Sequence, residues 1–311
     1  MKLLKKSTGI LLTLTILSGM LTIIPFEAGA AAQISYVERS WDEASGSVVS
    51  TTKYRDSYTS IGSRSSDTLT GWYYADSTET VNSRLRVSGT ANLILRDGKT
   101  LTLKKGIRVP EGNTLNIYSQ QQDSGSLVAK AGDYKAAIGS NDEDDDAENG
   151  SGTINIHGGN VNANGGDDSA GIGGGNEAHG GNITIYGGTV TAKGGPNGAG
   201  IGSGDEYEGR VRGSITIYDG TVTATGGPSG AGIGNGALVV GGTITILGGT
   251  ITAKGGDYGA GIGGGSKESS PDDIIIKNAK VNATSGGHAA GVGGGAGGSA
   301  ANGELTEGSC L

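Results

Sequence analysis

Two sets of side chains in this 311-residue chain have the types and spacing for chemistry. The first is a column formed by the residue that follows each of six short apolar segments: Tyr118, His157, Tyr186, Tyr218, Leu247 and Lys277. Ile185 alternates inward, so Tyr186 faces outward, and the column predicts an exposed aromatic strip. Rings on a flat β face stack against sugar rings, and a Tyr hydroxyl helps to orient them. Tyr118, His157, Tyr186 and Tyr218 are therefore the candidate carbohydrate-binding residues. Rings that pack only on one another, as a cross-strand ladder, account for the same column. The second set is acidic. The loops "NDEDDDAENGSG" (141–152) and "GDEYEGRVRG" (204–213) carry Asp142, Asp144, Asp145, Asp146, Asp205, Glu206 and Glu208. Carboxylates hold Ca²⁺ when several oxygens converge. Asp142, Asp144, Asp146, Asp205 and Glu206 are the candidate ligands and Ca²⁺ the candidate ion.

Each set has limits. Asp142-x-Asp144-x-Asp146 imitates the start of an EF-hand loop, but Ala147 replaces the turn Gly and Thr153 the closing acid. A solvated variable loop explains the same charges. The catalysis open to side chains of these types is elimination by an Arg or Lys base beside a Ca²⁺ ion, or hydrolysis by paired carboxylates. Arg210 and Arg212 beside Asp205 and Glu206 are the only group that can be assembled for it. The histidines, His157, His179 and His288, are scattered. No catalytic residue is assigned. Thr189-x-Thr191, Thr221-x-Thr223 and Thr250-x-Thr252 form ranks that resemble those of ice-binding solenoids. Asn160 and Asn162 interrupt them, and outward Thr is in any case a good strand residue.

What positions these residues is a repeat. "SAGIG" (169–173) recurs as "GAGIG" at 198–202, 230–234 and 259–263 and as "AAGVG" at 289–293. Its aliphatic residues, Ile172, Ile201, Ile233, Ile262 and Val292, step by 29, 32, 29 and 30. Within one unit, Ile183/Ile185, Val190/Ala192 and Ala199/Ile201 alternate with the period of a strand. Three short strands per unit, each with two inward positions, describe one coil of a three-sided parallel β-helix. Successive coils stack at about 4.8 Å, so equivalent aliphatic residues form columns in a core too narrow for rings. The Gly-Gly pairs at 158–159, 187–188 and 248–249 mark tight corners, and Asn278 takes that role in the last unit. The pattern extends upstream through "SLVAKAGDYKAAIGS" (126–140) to Leu93/Leu95, with a compact 22-residue step from Leu93 to Leu115.

Composition fits that reading. Gly 63 and Pro 5 make up about a fifth of the chain, and it holds two Trp and one Phe. Residues 1–30 read as a secretory signal: Lys2, Lys5 and Lys6, an apolar body, then Ala28-Gly29-Ala30 as the cleavage site. No later stretch is long and apolar enough to span a bilayer, so no membrane insertion is expected after cleavage. The formal charge is −8, and removal of residues 1–30 leaves −10, a balance that argues against nucleic acid as partner. The single cysteine, Cys310, excludes an intramolecular disulfide framework.

Together with "VSGTANLILRDGKTLTLKKGIRVPEGNTLNIYSQ" (87–120), these units resemble the β-helical, pectate-lyase-like repeat regions of secreted or cell-surface proteins of Gram-positive bacteria. The resemblance covers roughly residues 36–300. It implies an extracellular or cell-envelope location and a polysaccharide or host-glycan partner, and it supplies no catalytic residues. The expected organisation is a signal peptide (1–30), an N-terminal capping β region (31–92), a right-handed parallel β-helix of about seven coils (93–297) and a truncated C-terminal tail (298–311). The expected function is non-catalytic, adhesin-like glycan binding. The alternatives are a Ca²⁺-dependent lyase or glycoside hydrolase at the acidic edge, and a structural surface stalk.

Overall fold

The computed structural model describes residues 33–141, 150–205, 213–267, 269–271 and 273–298, and the backbone alone of 11–13, 24–26 and 302–305. The chain is an all-β, three-sided parallel β-helix. Its first face stacks strands that include Thr114–Ser119, Thr153–Ile156, Gly181–Ile185, Gly213–Ile217, Thr243–Ile246 and Asp273–Ile276. The second face is an eight-stranded parallel sheet from Glu79–Val81 to Lys280–Thr284. The third consists of two-residue strands, Ile-Gly in most coils. Seven coils run from residue 90 to 293.

The register puts like over like. Ile154, Ile183, Ile215, Ile244 and Ile274 pair successively on the first face. Val161, Val190, Val222, Ile251 and Val281 do so on the second, and Ile172, Ile201, Ile233, Ile262 and Val292 on the third. All but Val292, in the last complete coil, belong to one continuous buried core. A one-residue slip would turn every one of these side chains outward, so the alternation fixes the register.

One inward pair is narrower than the sequence predicts. Ile201 joins the core, whereas Ala199 is buried outside it at the corner before the strand. Its N–H donates to the Ser203 carbonyl at 3.0 Å, and Ala170, Ala231 and Ala260 repeat that bond. The backbone closes a tight loop there, which leaves the third face a single inward column.

Most coils use glycine at two positions where the backbone demands it. Gly188 has φ +88°, and its equivalents Gly159 and Gly249 lie at +87° and +85°; in the last coil Asn278 turns the corner at +52°. Gly173, Gly202 and Gly234 on the third face have φ between +126° and +137°, and a Cβ on Gly202 would overlap the Gly234 carbonyl oxygen. The coils touch there backbone to backbone.

Residues 33–92 hold two different structures. Ile34–Asp42 and Ser47–Arg55 form an antiparallel hairpin with nine paired positions. Thr68–Ala75, Glu79–Val81 and the start of Leu85–Leu95 then make one more coil beneath the seven. Ile61, in the short 3₁₀ turn Ile61–Ser63, is fully buried in the core and closes that end.

Candidate functional site

The aromatic column exists, and its rings stack. Centroids of Tyr118 and His157 lie 4.4 Å apart, those of His157 and Tyr186 4.9 Å, and those of Tyr186 and Tyr218 5.2 Å, with interplanar angles of 15°, 10° and 15°. The coil spacing sets these separations, since one ring per coil is carried at the same register. Two tryptophans extend the stack. Trp72 lies on Tyr118 at 5.5 Å and Trp41 on Tyr218 at 4.9 Å, which makes six rings in line.

The strip faces outward from the coils, as its position after an inward Ile requires, but it is not open. The hairpin runs along it. Tyr36 packs against both Trp72 and Tyr118 at 4.9 Å, and with Ile34, Tyr74, Ile94 and Tyr118 it forms a second apolar cluster outside the main core. Arg39 pairs with Asp123 at 2.8 Å, and its guanidinium also donates to the His157 carbonyl. His157 Nδ1 lies 2.7 Å from the Arg39 carbonyl oxygen. Tyr118 and His157 are consequently buried, at 5% and 8% exposure, while Tyr186 and Tyr218 are half-buried. The exposed strip expected from the sequence is thus corrected to a covered one. The five rings carried by the coils make a large apolar patch, and the folded chain covers it with its own hairpin, which adds Trp41 as the sixth ring.

Burial shows in the titrating groups. Desolvation raises the Tyr118 and Tyr186 hydroxyls above the usual phenol range, with the neighbouring Tyr218 adding to the shift at Tyr186. It lowers the His157 imidazole, an effect partly opposed by the Arg39 backbone bond. The site favours a neutral imidazole and neutral phenols, the state suited to stacking.

Of the candidate metal ligands, Asp142, Asp144, Asp146 and Glu206 lie outside the described residues, as do Asp145, Glu208, Arg210 and Arg212. Asp205 is described. Its N–H donates to the Asp168 carbonyl at 2.8 Å, and its carbonyl accepts from the Glu177 N–H at 2.7 Å. Gly150 bridges to His179, so the ends of the loops after 139, 173 and 202 sit on one edge of the solenoid. Among the described residues no three acidic, His or Cys side chains come together as a metal site. The three histidines are separate: His157 in the strip, His179 in a loop, and His288 stacked on Tyr258 at 5.2 Å.

The open surface lies on the second face. Asn160, Asn162, Thr189, Thr191, Thr221, Thr223, Thr250 and Thr252 are all exposed, two per coil over four coils in register. A groove of about 300 Å³ runs along the start of these strands, lined by Asp123, Thr189, Asp219, Thr221 and Thr250 over a floor of Gly188, Gly220 and Gly249. A second groove, of about 430 Å³, follows the strand ends between Lys193 and the corners at Pro196 and Pro228. Sequence reasoning found the Thr ranks but not the grooves. Their only signal is the glycine at each corner, whose missing side chain leaves the space.

Four stretches, 154–176, 183–205, 215–237 and 244–266, match the family model described as a beta helix repeat. No curated protein and no solved structure matches the chain. Each matched stretch starts within a first-face strand and ends in the loop after the third face, one coil at a time. Residues 154–266 are therefore a β-helix repeat region, on the sequence match and the coil geometry alike.

Proposed function

We propose that this protein is a secreted or surface-exposed, non-catalytic β-solenoid that binds polysaccharide or host glycan along its second face. The observation that carries the reading is the exposed array of Thr and Asn side chains on that face, bordered by the groove of Asp123 and Asp219. Hydroxyl, amide and carboxylate groups supply donors and acceptors for sugar hydroxyls. The Thr and Asn groups recur, two per coil, at about 4.8 Å, so a long chain lying along the axis meets the same groups repeatedly. Many weak contacts of this kind favour long chains over short ones. The net negative charge favours a neutral or basic polymer over a polyanion. Secretion rests on the basic, apolar and Ala-Gly-Ala segments of residues 1–30. The aromatic strip serves in this reading as the seat of the hairpin, with Tyr218 beside the groove through Asp219.

Co-sedimentation with insoluble cellulose, chitin and peptidoglycan tests the reading. The parent should pellet with at least one of them, and Thr221→Lys with Thr223→Lys should abolish pelleting at an unchanged Tm. Parent protein that stays soluble with all three overturns it. A double Lys variant that pellets like the parent, while Tyr186→Ala with Tyr218→Ala does not, moves the ligand to the strip.

A further inference from the structure

The hairpin that covers the strip has a free side. Ser47–Arg55 pairs with Ile34–Asp42 through nine consecutive positions with no bulge, and among the described residues no other strand pairs with it. Alternate N–H and C=O groups on its outer side are left open to another chain. Natural edges of this length carry proline, a bulge or spread charges against such pairing. This one reads "SVVSTTKYR", with its two charges confined to one end. It also displays Val49 at 43% and Tyr54 at 62% exposure, two of the few large apolar side chains left exposed.

We infer that this edge joins a second copy of the chain, antiparallel, about a two-fold axis through Thr51. The sequence of the strand selects that partner and register. Centred on Thr51, the joint places Thr51 against Thr51, Ser50 against Thr52, and Val48 against Tyr54 of the second copy. Hydroxyl pairs and aromatic–β-branched pairs are the stabilising cross-strand combinations. The same register sets Lys53 opposite Val49 and Arg55 opposite Ser47. The two Lys53 ammonium groups then lie about four residues apart along the strands, roughly 13 Å, beyond the Debye length at physiological salt. Moving the axis to Lys53 would bring those two charges face to face. A two-fold joint is isologous and closes at two copies, so it yields a dimer with a four-stranded sheet and not a fibre. Each rod in such a dimer keeps its second face.

Sedimentation equilibrium on the purified protein tests this with two variants at one exposed position. Val49 faces Lys53 of the second copy, and its own hairpin neighbour is the uncharged Ser40. The parent should show twice the chain mass at micromolar concentrations. Val49→Lys should weaken the dimer and Val49→Glu should tighten it, each by about ten-fold, because each change acts twice across the axis. Circular dichroism should show the rod intact in both. A parent that is monomeric up to 100 µM (about the concentration where weak edge pairing shows) overturns the proposal. So does a dimer that both variants weaken alike, since hydrophobic contact without this register predicts that result.

Discussion

Replacing Ile201 with Ala perturbs the solenoid at a point where the geometry sets the cost. Ile201 is fully buried, on the single inward column of the third face, between Ile172 and Ile233 in adjacent coils. Three carbon atoms leave the core, worth about 2.5 kcal/mol at ~0.8 kcal/mol per buried methylene. The void adds to that. Collapse would need the coils to approach, and they already meet backbone to backbone at Gly202 and Gly234. With most of the side-chain volume left empty, a cavity term of about 1.5 kcal/mol follows at ~24 cal/mol per Å³. The expected loss is about 4 kcal/mol. Urea unfolding followed by circular dichroism measures it, with amide exchange of coils 172–202 and 201–234 reporting local opening, because repeat arrays lose stability between neighbours. Thr191→Ala, exposed in the same coil, is the control and should stay within about 0.5 kcal/mol. A loss below about 1 kcal/mol for Ile201→Ala would mean that the core relaxes freely, and the rigid-coil argument would fail.

Three further outcomes follow from the ends and the cover. Glu79 stands in register with Leu101 on an inward column, its Oε1 buried without a partner, and burial raises its carboxyl above the usual range. The folded state therefore holds its proton longer than the unfolded one, so Glu79 costs nothing below the ordinary pKa of 4.5 and stability falls as pH rises through the raised value. Glu79→Gln should raise Tm at pH 7 and leave it unchanged at pH 4, and the opposite pattern in a thermal melt would refute the placement. His157 is lowered by burial, so its contribution is present above 6.5 and is lost as pH falls toward the folded value. Trp41 fluorescence should report the hairpin loosening between pH 7 and 5, and an unchanged spectrum would show that the imidazole does not govern docking. Arg39→Ala removes the Asp123 pair and the bond to the His157 carbonyl. The partly buried pair should cost the hairpin about 1 kcal/mol, seen as protease cleavage near residues 43–46 with the rod resistant, and equal resistance to the parent would count against the strap.

The local sequence decided the coils. Each unit carries its own alternation, Ile183/Ile185 or Val190/Ala192, and its own corner glycines, so strand, face and register are legible from neighbours a few residues apart. Stacking then follows because each unit can bury its inward side chains only against copies of itself, and the spacing near 30 residues aligns them. The sequence also placed Tyr118, His157, Tyr186 and Tyr218 in one outward column. It did not show what lies over that column. The hairpin contacts join Arg39 to His157 and Trp41 to Tyr218 across more than a hundred residues, between segments that share no repeat. A repeat describes contacts between equivalent positions, whereas the cover is a contact between unlike segments, fixed by Tyr36, Arg39 and Trp41 meeting rings that the coils had already aligned. The grooves beside the Thr ranks were equally hidden, since they are the space left by Gly188, Gly220 and Gly249 once the coils stack, and only the assembled structure gives that space walls.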